Sequence, residues 1–181
     1  MRDILKFLLV LALFLSGLQP LPASTAGSEY ELKAAFLFYF VKFVEWPATA
    51  FADHSTPLVL GVIGQDPFGS AFDALDGKTV KNRTLKIKRL TAAETQCGCH
   101  VLFISPSESG RAAEIAKALD TAPVLTVGDN LTDIHQQGVM VNFLLVENKI
   151  RLEINVGATQ RAKISISSQV LQMAKVVGEG S

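Results

Sequence analysis

Apolar and polar positions along the chain fall into blocks with distinct periods. From Ala34 to Trp46 almost every position is apolar, and six of the thirteen residues in "AFLFYFVKFVEWP" are aromatic. Ser28 stands ahead of this run as an N-cap, and Glu31 three places on completes a capping-box pattern. Pro47 disfavours helix in the residue before it, so the helix is expected to stop at Trp46. On a helical wheel Leu32, Phe36, Tyr39, Phe43 and Trp46 share one stripe, the one expected to face the core. Leu37, Val41 and Val44 fall on the far side, while Glu31, Lys42 and Glu45 form only a narrow polar strip. A helix apolar nearly all round is covered on more than one side. Leu37, Phe38, Val41 and Val44 are therefore the expected dimer or partner face, with a fully internal helix as the alternative.

The period then changes. Pro57 to Ile63 is a continuous, β-branched-rich apolar run ending at Gly64, which predicts a strand buried on both faces. "GQDPFG" makes a tight turn into a helix over Phe68–Leu75, and alternation through Leu85, Ile87 and Arg89 marks another strand. His100–Ser105 and Pro123–Asp129 read as two more buried strands. Ser107 caps a helix over Glu108–Leu119, and Leu131–Gln137 forms a short one. Val139–Leu145 and Ile150–Asn155, joined at Glu147-Asn148, read as a hairpin. One or two helices close the chain, with Ser167 or Ser168 before "QVLQMAKVV". Alternating buried strands and helices predict an α/β fold: three layers around a mostly parallel sheet, an antiparallel C-terminal hairpin at the edge, and an aromatic N-terminal helix.

The N-terminus changes the picture of where the domain works. "MRDILKFLLVLALFLSGLQPLPASTA" has a positive start, an apolar run too short to span a bilayer, and small residues before a cleavage point after Ala26 or Ala23. Residues 1–26 are read as a signal peptide and 27–181 as a single domain of an exported, periplasmic protein. Without a lipobox cysteine, a lipoprotein is not expected. The 181 residues carry no net formal charge, so there is no basic footprint for nucleic acid.

Chemistry is sparse. His54, His100 and His135 sit in no metal-ligand spacing, and no nucleophile elbow, P-loop or dinucleotide fingerprint occurs. No catalytic residue, metal or cofactor is expected. In open α/β sheets ligands bind outside the carboxyl ends of the strands. Gln65, Asp66, Ser105 and Asp129 are the pocket candidates on that rule, with Arg151, an Arg in an apolar strand, as an anion holder or a partner of Glu153 or Glu147. Cys97 and Cys99, the only cysteines, leave three options: a small strained local bridge, free thiols or an intermolecular bond.

The segments "EYELKAAFLFYFVKFVEWP", "PLVLGVIGQDPFG", "CHVLFIS", "PVLTVGD" and "NFLLVENKIRLEIN…ISSQVLQMAKVV" resemble, in order and spacing, the YfiR family. The resemblance implies a non-catalytic periplasmic repressor that binds the periplasmic sensor part of an inner-membrane diguanylate cyclase. It further implies release by an OmpA-like outer-membrane lipoprotein, a homodimeric state and an effect on biofilm through cyclic di-GMP. The alternative is a periplasmic small-solute-binding sensor or transport-associated protein; a periplasmic hydrolase is a third reading without a motif to carry it. The resemblance also implies a contrast: many members of the family carry a Cys where this chain has Gly61, paired with the residue matching Cys99. Gly61 cannot pair, and Cys97 is extra.

Overall fold

A computed structural model describes residues 26–91, 94, 98–147 and 149–178. The segment read as a signal peptide lies outside them up to residue 25, as do Cys97 and the turn residue Asn148. Eight strands form one sheet. Leu58–Ile63 (β2) lies inside it, third from one edge, between Arg83–Leu90 (β4) and Val101–Ile104 (β5), and is parallel to both. Beyond β5 come Leu125–Asp129 (β6) and Val141–Val146 (β7), also parallel. Lys149–Asn155 (β8) returns antiparallel to β7, completing the expected hairpin. The sheet does not end there. Lys175–Val177 (β10) pairs parallel to β8 and forms the edge, in a stretch read from sequence as helix. Short Thr79–Val80 (β3) closes the other edge against β4.

Continuous apolar strands mark the middle of the sheet because both of its faces are covered. On one side pack Ala26–Phe40 (α1), Ser70–Asp73 (α2), Val156–Arg161 (α5) and Ser168–Leu171 (α6), joined to Leu60, Val62, Phe103, Val127 and Phe143 of the strands. On the other, Ala112–Ala118 (α3) and Ile134–Gln137 (α4) cover Ile63, Leu102 and Ile104. Alternate residues of one strand thus serve two cores, which gives the expected three layers.

One departure from the expected pattern shapes the first helix, and one expected turn shapes the β2 carboxyl end. The first helix already includes Ala26 and ends at Phe40, so Ser28 lies inside it and does not cap it. Val41–Phe43 tightens to a 3-10 turn. Val44–Glu45 (β1) then pairs antiparallel with Ser165–Ile166 (β9), and Ser167 N–H donates to the Phe43 carbonyl at 3.0 Å. Strand pairing with a distant segment overrides the helical pattern, aided by the low helix propensity of Val41 and Val44. At the end of β2, Gly64 has φ +93°, and a Cβ there would lie 2.5 Å from Ser107 Oγ, so the turn takes only glycine.

Candidate functional site

The first helix carries two opposed faces, and they are the reverse of those the wheel suggested. Leu37, Val41 and Val44, expected to meet a partner, are fully buried against the sheet together with Ala34 and Phe40. Leu32, Phe36, Tyr39 and Phe43, expected to be core, are 55, 38, 59 and 41% exposed. Phe38 is half-buried at the boundary, edge-on to Tyr39. Trp46 is half-buried and donates its indole N–H to the His100 carbonyl at 3.1 Å.

What fixes the orientation is a charge. Lys33 is wholly buried, and its ammonium lies 2.6 Å from Oδ1 of Asp129 at the carboxyl end of β6. Glu29, one turn earlier, accepts from the same ammonium at 2.5 Å. Tyr30 donates its hydroxyl to Asp129 Oδ2 at 2.9 Å, and Asn130 Nδ2 donates to Oδ1 at 3.0 Å. Burial, reinforced by the hydrogen bond to Asp129 and its charge, pushes the Tyr30 phenol above its ordinary range. The Tyr30 ring meets Phe68 edge-on at 5.4 Å. A buried carboxylate and a buried ammonium are tolerated only with such full partnering. The place where a sheet of this type ordinarily receives a ligand is therefore filled by the protein's own first helix.

The other pocket candidates are likewise engaged within the fold. Asp66 accepts from Arg89 Nε at 2.7 Å and from the Phe68 N–H at 2.7 Å. Ser105 Oγ donates to the Gln65 carbonyl at 2.5 Å, and Gln65 N–H donates to Ser107 Oγ at 3.0 Å. The structure does not bring these side chains together with Asp129 around a cavity. Arg151 does not pair with Glu153 or Glu147. Glu153 instead accepts from Lys175 Nζ at 2.7 Å, and Arg151 has no ion pair among the described residues. Cys99 is buried and disulfide-bonded. A Cβ built on Gly61 would lie 2.6 Å from Cys99 Sγ, so the strand position singled out by the family resemblance does sit against that cysteine.

Arg151 instead lines a groove of about 490 Å³ along the exposed side of α1. One wall is Leu32, Phe36, Tyr39 and Phe43; the other is Ile150, Val170 and Met173, the last 75% exposed. Leu145, 40% exposed, lies directly across the hairpin from Ile150. Of the seven large apolar side chains exposed among the described residues, five line this one groove. Isolated exposed apolar residues need no explanation, whereas a contiguous patch marks an interaction surface. A second hollow, of about 510 Å³, is lined by Trp46, Phe51, His54, Lys81 and Arg83 among others. Its cations are engaged: Arg83 lies 3.8 Å over the Phe51 ring and donates to the carbonyls of Asp53, His54 and Thr56, and Lys81 donates to the Val44 carbonyl and pairs with Glu45.

The sequence signal for the true orientation was present in Lys33 and Asp129. Lys33 is the one cation of the described first helix and Asp129 the one charge of β6, and a buried charge needs an opposite one.

No described helix is long and apolar enough to cross a membrane. No curated protein matches the sequence. A family model described as YfiR/HmsC-like matches residues 30–175, from the tyrosine that holds Asp129 to the first residue of β10. The chain belongs to the YfiR/HmsC-like family, whose members are periplasmic, non-catalytic regulators in cyclic di-GMP signalling.

Proposed function

We propose that this protein is exported by cleavage of residues 1–26 and represses an inner-membrane diguanylate cyclase by docking the α1 groove on that enzyme's periplasmic sensor part. An OmpA-like outer-membrane lipoprotein relieves the repression by competing for the repressor. The observation that carries this reading is the concentration of exposed apolar side chains in one groove, Leu32, Phe36, Tyr39, Phe43 and Met173, with Arg151 at its side. Repression results if the sensor presents an apolar segment to that groove in its inactive state only, because a ligand shifts an equilibrium by its differential affinity for the two states. The filled carboxyl end of the sheet argues against the small-solute reading, since Asp129 already has its cation in Lys33.

The test is capture of the cyclase from membranes by the exported protein, with cyclic di-GMP measured in the same cells. Tyr39→Glu and Met173→Glu, on opposite walls of the groove, are expected to lose capture and raise cyclic di-GMP while circular dichroism stays native. Undiminished capture by both variants would overturn the reading.

A further inference from the structure

Among the described residues one sulfur is open to an oxidant, and it stands in the groove wall. The sequence has three methionines, Met1, Met140 and Met173. Met1 belongs to the segment read as a signal peptide. Met140 is 2% exposed within the apolar core; its N–H donates to Thr126 Oγ1 at 3.0 Å and its carbonyl accepts from the Asn155 N–H at 2.8 Å. Met173 is the most exposed of the large apolar side chains in the described domain. Cys99, the one described cysteine, is disulfide-bonded, so no described thiol competes for the oxidant.

Met173 lies in the turn between α6 and β10. Its N–H donates to the Val170 carbonyl at 3.0 Å, and two residues later Lys175 joins the sheet against Glu153. The backbone is thus held while the thioether stands in solvent, across the groove from Tyr39 and Phe43. We propose that Met173 is a reversible oxidation site that sets the affinity of the groove for apolar ligands. A two-electron oxygen donor, hydrogen peroxide, transfers one oxygen atom to the sulfur. An S–O bond forms, the O–O bond breaks, the sulfur gives up two electrons and the reduced peroxide leaves as water. A methionine sulfoxide reductase reverses the step: two thiols become a disulfide, the sulfur regains its two electrons and the oxygen departs as water. The sulfoxide is polar and is hydrated in the free protein, so it costs the fold little. A ligand that enters the groove strips this water and returns no hydrogen bond, so the penalty falls on binding. Release of the cyclase by oxidation rests on the proposed function; the oxidation and the lost apolar affinity do not.

Peptide mapping of the exported protein after hydrogen peroxide is the first readout. In the folded protein Met173 is expected to gain oxygen at least about tenfold faster than Met140, and in urea both react alike. The second readout is binding of anilinonaphthalene sulfonate, apolar rings with one anionic group that Arg151 complements. Oxidation is expected to weaken it about tenfold, and the reductase to restore it. In Met173→Leu peroxide is expected to change nothing, and the urea midpoint stays native throughout. Met140 reacting as fast as Met173 in the folded protein, dye that fails to bind the native protein, dye affinity unmoved by oxidation, or a loss that persists in Met173→Leu would each overturn the inference. Cyclase capture is scored in parallel. Absent capture beside dye binding that responds as stated overturns the proposed function and leaves the oxidation site standing. Capture that oxidation leaves undiminished overturns the oxidative control of docking and leaves the docking itself standing.

Discussion

Two regions border the first helix, and their contents are opposite. At the carboxyl end of β6, Lys33, Tyr30 and Asn130 converge on Asp129, leaving its charge fully partnered within the fold. A helix turn or two away, the groove between Tyr39 and Met173 is apolar and open. The first region resembles a ligand site in position and is closed by the protein itself; the second has no counterpart in the usual rule for such sheets and stays open. The difference shows that position in a fold suggests a site, while the state of its polar groups decides whether anything can enter it.

The largest expected effect comes from charging the wrong side of α1. Leu37→Glu places a carboxylate in a fully buried position within the apolar core, where the one nearby cation of the helix, Lys33, is already held by Asp129, and should cost more than about 4 kcal/mol, comparable with the whole stability of many domains. Loss of the cooperative urea transition would be the expected outcome. A folded Leu37→Glu protein would mean that the two faces have been assigned wrongly.

Next is the closed region. Lys33→Met leaves Asp129 buried without its cation and should destabilise by about 3–5 kcal/mol. Lys33→Met combined with Asp129→Asn removes both charges, keeps an acceptor for Tyr30 and should recover most of that loss in a double-mutant cycle. Failure to recover would show that the pair is not a unit. Tyr30 adds a pH arm to the same contact. Its folded pKa is raised, so its contribution is complete below the unfolded value of about 10 and is lost as pH rises through the folded value. Alkaline unfolding monitored by phenolate absorbance should therefore begin only above pH 10.

The open region should respond through association and not through stability. Tyr39→Glu is expected to change stability by less than about 0.5 kcal/mol while association is lost. A large stability change there would erase the contrast between the faces.

The smallest effect is expected at His100, away from both regions. Its Nδ1 accepts from the Val59 N–H at 3.1 Å and its Nε2 donates to the Ala50 carbonyl at 3.0 Å, which fixes the neutral form. Burial lowers its pKa from 6.5. The folded state thus prefers neutral imidazole, so its contribution is complete above about 6.5 and is lost as pH falls from there through the folded pKa. The urea midpoint should decline gently over that acid range, and His100→Gln should flatten the decline.

The strands were legible because Leu58–Ile63, Val101–Ile104 and Leu125–Asp129 are apolar on both faces, a pattern that only a covered parallel sheet explains. β10 was not legible: three residues after a short helix carry no period of their own and become a strand only because β8 has a free edge. The faces of α1 were not legible from periodicity for a related reason. Both sides are apolar, so the wheel identifies two stripes and cannot rank them. Lys33 decides the matter, through a partner 96 residues away that no local pattern reveals. The groove was legible only in half, since its second wall, Ile150, Val170 and Met173, comes from segments that no local pattern places beside the first helix.

That second wall has a consequence for how the protein is made. The aromatic stripe of α1 leaves the ribosome, and enters the periplasm, among the first parts of the domain, whereas Met173 is among the last. Until the final strand has paired, the stripe has neither its wall nor its shape, and it is an exposed apolar surface of the kind that chaperones hold. The finished groove thus needs segments from both ends of the described domain, and a protein truncated or stalled before Met173 presents the aromatics without their second wall.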